Sequence, residues 1–217
     1  AFGSAGQRCS ALRLLFVPNE VADSYIETLK GAMDQLVIGD PAQFDSDIGP
    51  VIDADALGLL NAHVDKLKAA GKNLYQTPLP EGLDGHFFAP TLAELHSPEE
   101  LAREVFGPIL HIIRYDSQNP GEMTRALSAR GYGLTLGVHS RLEAFARDIM
   151  HAIPAGNVYV NRTVIGAVVG VQPFGGEGLS GTGPKAGGPL ALTRFASERA
   201  VSINITAQGG DPALLNL

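Results

Sequence analysis

Apolar positions along this chain fall into two alternating patterns. Residues 12–17, LRLLFV, form a short apolar run closed by Pro18 and Asn19, which reads as a buried strand followed by a turn. From there Val21, Tyr25, Leu29, Met33 and Leu36 recur at intervals of three and four, which predicts an amphipathic helix over 20–36. A long polar segment, IGDPAQFDSDIGP, separates it from a second helix over about 54–70. That helix carries Leu57, Leu60, Val64 and Leu67 on one face and has Gly71 as its stop. Short strands are expected near 73–76 and 86–92. SPEE at 97–100 has the pattern of a helix start, with Ser97 as N-cap, Pro98 at the first helical position and Glu100 at the capping-box position. Strands at 108–115, 133–139 and 157–161 then alternate with helices at 120–129 and 141–152. A short helix near 188–195 and a strand over 199–206 close the series.

Strands alternating with helices predict an α/β fold: a mostly parallel central sheet with helices on both faces. The length fits one principal domain, expected over 1–196, with the C-terminal strand and tail, 197–217, as an appendage. Strand 199–206 comes last, so no later strand is available to pair with it. That makes it an expected oligomerisation strand joining a second copy of the chain.

Charge and composition narrow the partners. A net charge of −7 gains nothing from counterion release, so no nucleic-acid partner is expected. No apolar run approaches the roughly 20 residues that a membrane span needs. The first residues, AFGSAGQR, have neither the basic start nor the apolar core of a signal peptide. A single cysteine forms no intrachain disulfide and suits a reducing compartment, so a cytoplasmic setting is expected. One cysteine and scattered histidines give no zinc-ligand spacing, and no metal is expected. His63 reads as solvated or partly buried, and His111, alternating with isoleucines, as packed. The chain has no initiator Met and opens inside a loop, and it reads as a fragment.

Three stretches carry candidate chemistry. In SAGQRCSA, residues 4–11, the only cysteine, Cys9, sits in a glycine-containing polar loop. A lone cysteine is most often a small buried hydrophobe. Polar neighbours Gln7, Arg8 and Ser10 favour the other reading, a nucleophilic thiol whose own amide N–H stabilises an oxyanion. In REVFGPIL, 103–110, Glu104 and Phe106 precede a Gly-Pro turn. That is either an ordinary entry into a strand, or a carboxylate for ribose hydroxyls beside a ring for a flat heterocycle. PFGGEGLSGTGPKAGG, 173–188, holds seven glycines in sixteen residues but lacks the order of a phosphate loop or a dinucleotide fingerprint. Glu177 within it has no motif support as a base.

Together, GQRCSA, EVFGP and PFGGEGLSG resemble the nucleophile loop, nicotinamide-ribose motif and late glycine motif of the aldehyde dehydrogenase superfamily, in that family's order. Ser10 after the nucleophile and SGTGPKAGGPLALTRF resemble the branch acting on glutamate semialdehyde (1-pyrroline-5-carboxylate). The ending SINITAQGGDPALLNL resembles the dehydrogenase half of bacterial bifunctional proline-catabolic flavoproteins. The resemblance implies an NAD-dependent oxidation with Cys9 as the nucleophile, passing through a thiohemiacetal and a thioester. It implies Glu104 and Phe106 as cofactor-binding residues. Ser10, Gly187 and Gly188 would hold the substrate carboxylate, and Phe195 would pack on its aliphatic chain. FAD would belong only to the proline dehydrogenase half of a longer protein. The family's general-base glutamate, oxyanion asparagine and NAD-binding domain lie before the nucleophile, where this chain has eight residues. The isolated chain is therefore expected to be inactive. The alternative is a non-catalytic module of the same family serving assembly, and a Cys–His hydrolase is a weaker third reading.

Overall fold

The computed structural model describes residues 1–204, 209 and 213. Its main layer is a four-stranded sheet of β1 (Leu14–Pro18), β2 (Leu74–Gln76), β3 (Thr91–Leu95) and β4 (Ile109–Tyr115). The strand order is β1-β4-β3-β2. β1, β4 and β3 run parallel, and β2 is an antiparallel edge. The expected mostly parallel sheet is thus present.

α1 (Asn19–Met33) and α2 (Ala54–Ala69) cover opposite faces of it. Alternation along the strands decides which residue meets which helix. Ala93, Leu95, Ile109 and Ile113 pack with Leu60, Val64 and Leu67 of α2. Leu92, Leu110 and Ile112 pack with Ala22, Ile26 and Met33 of α1. Each fully buried Leu or Ile contributes about 1.5–3 kcal/mol relative to exposure, so these two seams hold the unit together. In α2, Asp53 caps the first turn by accepting from the Ala56 N–H at 2.7 Å. Gly71 ends the helix at φ +68, with Lys72 N donating back to the Leu67 carbonyl.

Several expected elements shift. The buried stripe of α1 is Ala22, Ile26 and Met33, while Val21 and Tyr25 are half-exposed. Both sets have helical spacing, and the smaller Ala22 lies against the sheet. The strand expected at 86–92 begins only at Thr91. Residues 87–90 are buried but extended outside the ladder, and Pro90 has no N–H to donate to it. SPEE makes one 3-10 turn rather than a helix, because Leu101 and Val105, which follow it, are drawn into the core. The strand expected at 133–139 is split into β5 (Tyr132–Gly133) and β6 (Thr135–Val138), which belong to different sheets.

The second part of the chain forms a smaller unit. β6 pairs in parallel with β7 (Asn157–Val160). α3 (Pro120–Ser128) and α4 (Glu143–Ala152) surround a core of Val138, Ala146, Ile149 and Ile153. β5 pairs with β8 (Glu177–Gly178) inside the glycine-rich stretch. The short helix expected near 188–195 is a 3-10 helix at Ala191–Phe195. The strand expected over 199–206 is not formed over 199–204, where every residue is exposed; 205 and 206 lie outside the described residues.

Candidate active site

β1 and β4 are adjacent and parallel, so the segments leading into them lie at the same end of the sheet. Cys9 precedes β1 by five residues, and Glu104 and Phe106 precede β4 by five and three. The topology therefore brings the first two motifs together although they are nearly a hundred residues apart.

Two glycines set how closely they meet. Ser4, Ala5 and Gly6 all have positive φ, at 54°, 50° and 65°. That is a left-handed turn which non-glycine residues adopt at a cost. A Cβ on Gly6 would lie 1.9 Å from the Gly107 carbonyl oxygen, and one on Gly107 would lie 2.3 Å from Leu60 of α2. The EVFGP backbone is thus wedged between the cysteine loop and a core helix, and neither glycine tolerates a side chain. Gln7 fastens the other side of the loop, donating to the Pro50 carbonyl at 3.4 Å and accepting from the Ile52 N–H at 2.9 Å.

The centre of the assembly is Arg13, whose side chain is 13% exposed. It donates to the Gly6 carbonyl at 2.7 Å and the Arg8 carbonyl at 3.1 Å. Its Nε pairs with Glu104 Oε1 at 3.0 Å, and its guanidinium carbon lies 4.5 Å from the centroid of the Phe106 ring. The Arg8 carbonyl belongs to the same peptide group as the Cys9 N–H. A cation bonded to that oxygen polarises the N–H toward anything bound opposite. Sequence reading missed Arg13, taking it as one position of an apolar strand. The available signal was a lone guanidinium within LRLLFV, which has to find partners if it is buried.

Cys9 is exposed, which removes the reading of it as a buried hydrophobe. Ser10, beside it, is 7% exposed. Glu104 keeps 46% of its side chain exposed and Phe106 is 46% exposed. A carboxylate and a ring side by side at the surface fit a nucleoside cofactor: the carboxylate accepts ribose hydroxyls and the ring contacts the heterocycle.

The glycine-rich stretch packs elsewhere. Phe174 and Ala186 exchange backbone hydrogen bonds at 2.9 Å each. The Asn157 side chain clamps Pro173 and Gly175, and Lys185 Nζ donates to the Gly175 carbonyl at 3.1 Å. A Cβ on Gly156 would lie 1.8 Å from the Gly175 carbonyl oxygen. These glycines therefore serve close backbone approach. The Gly187 carbonyl accepts from Gly170 N, and Gly188 N donates to Lys185 at 3.2 Å. Phe195 is 87% exposed. Among the described residues no hydrogen bond or ion pair joins Gly187, Gly188 or Phe195 to the Cys9 loop. The structure thus brings Cys9, Ser10, Glu104 and Phe106 into one connected set and holds the other three in the second unit. Among the described residues no helix is long and apolar enough to cross a membrane.

The family model described as "Aldehyde dehydrogenase family" matches residues 1–201. The bifunctional protein PutA of Klebsiella aerogenes is 48% identical over 223 residues, covering 99% of this chain and 17% of that protein. A crystal structure of Bradyrhizobium japonicum proline utilization A, a D779W mutant, superposes with a TM-score of 0.87 at 54% identity, covering 95% of this chain and 21% of the other. A 1-pyrroline-5-carboxylate dehydrogenase from Thermus with bound NAD superposes with a TM-score of 0.78 at 34% identity, covering 86% and 36%. The chain spans 16% to 18% of the length of the PutA relatives it matches.

Proposed function

Because the chain belongs to the aldehyde dehydrogenase family, we propose that it is the nucleophile-bearing catalytic domain of an enzyme that oxidises glutamate semialdehyde to glutamate, the second step of proline catabolism. The observation that carries this reading is the single connected set of Cys9 loop, Arg13, Glu104 and Phe106. A module kept only for assembly needs neither an exposed thiol nor a carboxylate and ring beside it. Relatives that are PutA and 1-pyrroline-5-carboxylate dehydrogenases support the substrate.

In this reading the Cys9 thiolate attacks the aldehyde carbon, and the substrate oxygen takes up negative charge against the Cys9 N–H, giving a thiohemiacetal on Sγ. NAD, when bound, supplies the hydride acceptor. Loss of hydride from the substrate carbon leaves a thioester on Cys9, which water cleaves to the carboxylic acid and the free thiol. Glu104 and Phe106 would hold the nicotinamide ribose end of NAD, the carboxylate accepting ribose hydroxyls and the ring contacting the heterocycle. The resemblance assigns the base that activates water, and the remainder of the NAD site, to residues before the nucleophile. FAD would belong only to a proline dehydrogenase half, if the full-length protein carries one.

Specificity falls to Ser10, the amides of Gly187 and Gly188, and Phe195. The Gly188 N–H already donates to Lys185, so carboxylate binding requires it to exchange or share that bond. A site built to hydrogen-bond a carboxylate rejects an aldehyde that lacks one. The full-length enzyme should prefer glutamate semialdehyde over pentanal by at least about 10² in kcat/KM. Ser10→Ala should lower kcat/KM for the acidic substrate by about tenfold and leave pentanal nearly unchanged. Equal losses on both substrates would place Ser10 in support of the nucleophile loop and remove it from substrate recognition.

A further inference from the structure

Behind Arg13 lies a pair of histidines that the chemistry above does not use. His111, on β4, is 0% exposed. Its Nδ1 is 3.0 Å from the Arg13 carbonyl oxygen, and its backbone N–H donates to the same oxygen at 3.1 Å. Its Nε2 is 2.9 Å from Nε2 of His63 on α2, with the two rings edge to face at 78°.

The partners dictate the protons. A carbonyl only accepts, so His111 Nδ1 carries a hydrogen. Burial pushes the His111 pKa down to about 4, so at neutral pH the ring is uncharged and its Nε2 is a bare acceptor. The hydrogen between the two rings therefore sits on His63 Nε2. Burial, then Lys66 and Arg103, also lower the His63 pKa. His63 is half-buried and lines an open cleft of about 360 Å³ together with Lys66, Glu100, Leu101 and Arg103. Glu100 there is paired with Lys72, and His63, then Arg13, add to burial in disfavouring a charge on His111. A continuous chain of donors thus runs from the cleft through His63 and His111 to the Arg13 carbonyl. The Arg13 side chain then grips the carbonyls of Gly6 and Arg8 on either side of Gln7, and Glu104.

We propose that His63 and His111 are positioning residues for the Cys9 loop: His63 fixes the tautomer in which His111 anchors the Arg13 backbone, and Arg13 transmits that anchor to the loop. The proposal rests on Cys9 being the reactive thiol. It concerns a histidine pair outside the set of Cys9, Glu104 and Phe106.

The test uses the full-length protein with His63→Leu and His63→Gln. The glutamine amide can donate to His111 Nε2; leucine cannot. Two readouts are taken: amide hydrogen exchange over residues 8–13, and iodoacetamide alkylation of Cys9, followed on the tryptic peptide Cys9–Arg13. In His63→Leu, exchange over 8–13 should be about fivefold faster, the factor that one lost buried hydrogen bond supplies. The alkylation rate should change by a similar factor, while α3 keeps its wild-type exchange. His63→Gln should return both readouts to within about twofold of wild type. If His63→Leu does not accumulate, acid replaces it. As pH falls toward about 4, His111 takes a second hydrogen, and once His63 is doubly protonated as well, N–H faces N–H and the wild-type pair is forced apart. Protection over 8–13, corrected for intrinsic exchange, should then drop. In His63→Gln it should persist, because the amide can turn its oxygen toward the ring. Unchanged exchange or alkylation in His63→Leu, equal effects in Leu and Gln, or acid-insensitive wild-type protection would each overturn the proposal. Failure to oxidise glutamate semialdehyde would overturn the function proposed above and leave these readouts intact.

Discussion

Arg13 makes contacts with Gly6, Arg8, Glu104 and Phe106 through one planar guanidinium. Only a fork of donors does this; a point charge cannot. Arg13→Met keeps the length of the stem but orphans two carbonyls and the Glu104 carboxylate. It should destabilise the protein by about 2–3 kcal/mol, the scale of hydrogen bonds to a buried charged group, read as a fall in urea midpoint. Arg13→Lys should recover less than half of that loss, and full recovery would mean that charge alone, without the fork, holds the loop. Residue-scale legibility divides along the same line. Cys9, Glu104 and Phe106 were readable because each has a residue type that its chemistry requires, set in a distinctive local string. Arg13 was not, because its side-chain partners come from two separate segments, the Cys9 loop and EVFGP, which only the fold brings together. His111 was read as packed and His63 as partly buried, and both are, but nothing in one sequence says that residues 48 apart share a hydrogen.

At the scale of elements, the order and type of nearly every helix and strand in the first 160 residues followed from periodicity. What periodicity could not supply was the phase of α1, the start of β3 and the division of 133–139. Each depends on what lies opposite: a sheet that takes Ala22 rather than Val21, a ladder that Pro90 cannot join, and two separate partner strands, β7 and β8. The glycines show the same limit. In the sequence Gly6 is one glycine of a polar loop, whereas in the fold its role is contact: a Cβ there would penetrate the Gly107 carbonyl, and its φ of +65° disfavours any side chain. Gly6→Ala should therefore push the Cys9 loop away from the EVFGP segment. A shift of about 1 Å at a reacting group costs on the order of 10²-fold in turnover, so kcat/KM of the full-length enzyme should fall by that order. The thermal midpoint should fall as well, because Gly6 is buried and a Cβ there cannot be placed without moving the Gly107 backbone. A variant with normal kcat/KM would show that the loop and EVFGP need not touch for catalysis.

At the scale of the whole molecule, the two units differ in how their apolar surface is disposed. The four-stranded unit packs two apolar seams between sheet and helices, and leaves Phe44 and Ile52 exposed outside them. The later segment leaves Val169, Val171, Leu192, Phe195, Val201 and Ile203 more than 60% exposed. Residues 201–204 alternate Val201 and Ile203 with Ser202 and Asn204, the pattern of a strand with one apolar face. Over 199–204 that pattern finds no ladder within the chain. A segment with strand patterning, exposed valine and isoleucine, and no ladder among the described residues is best accommodated by a sheet edge on another subunit, where backbone pairing and apolar burial come together. We expect homo-oligomerisation to cover it. In the full-length protein, amides of 199–204 should exchange slowly in the assembled form. Val201→Lys with Ile203→Lys should release smaller species in sedimentation, since two charges cannot be buried there without partners. The Cys9 loop lies in the other unit, and its alkylation rate should survive the double substitution. Fast exchange over 199–204 in the intact oligomer, or an unchanged sedimentation profile in the double variant, would mean that the subunits meet elsewhere and that this exposed segment has some other cover.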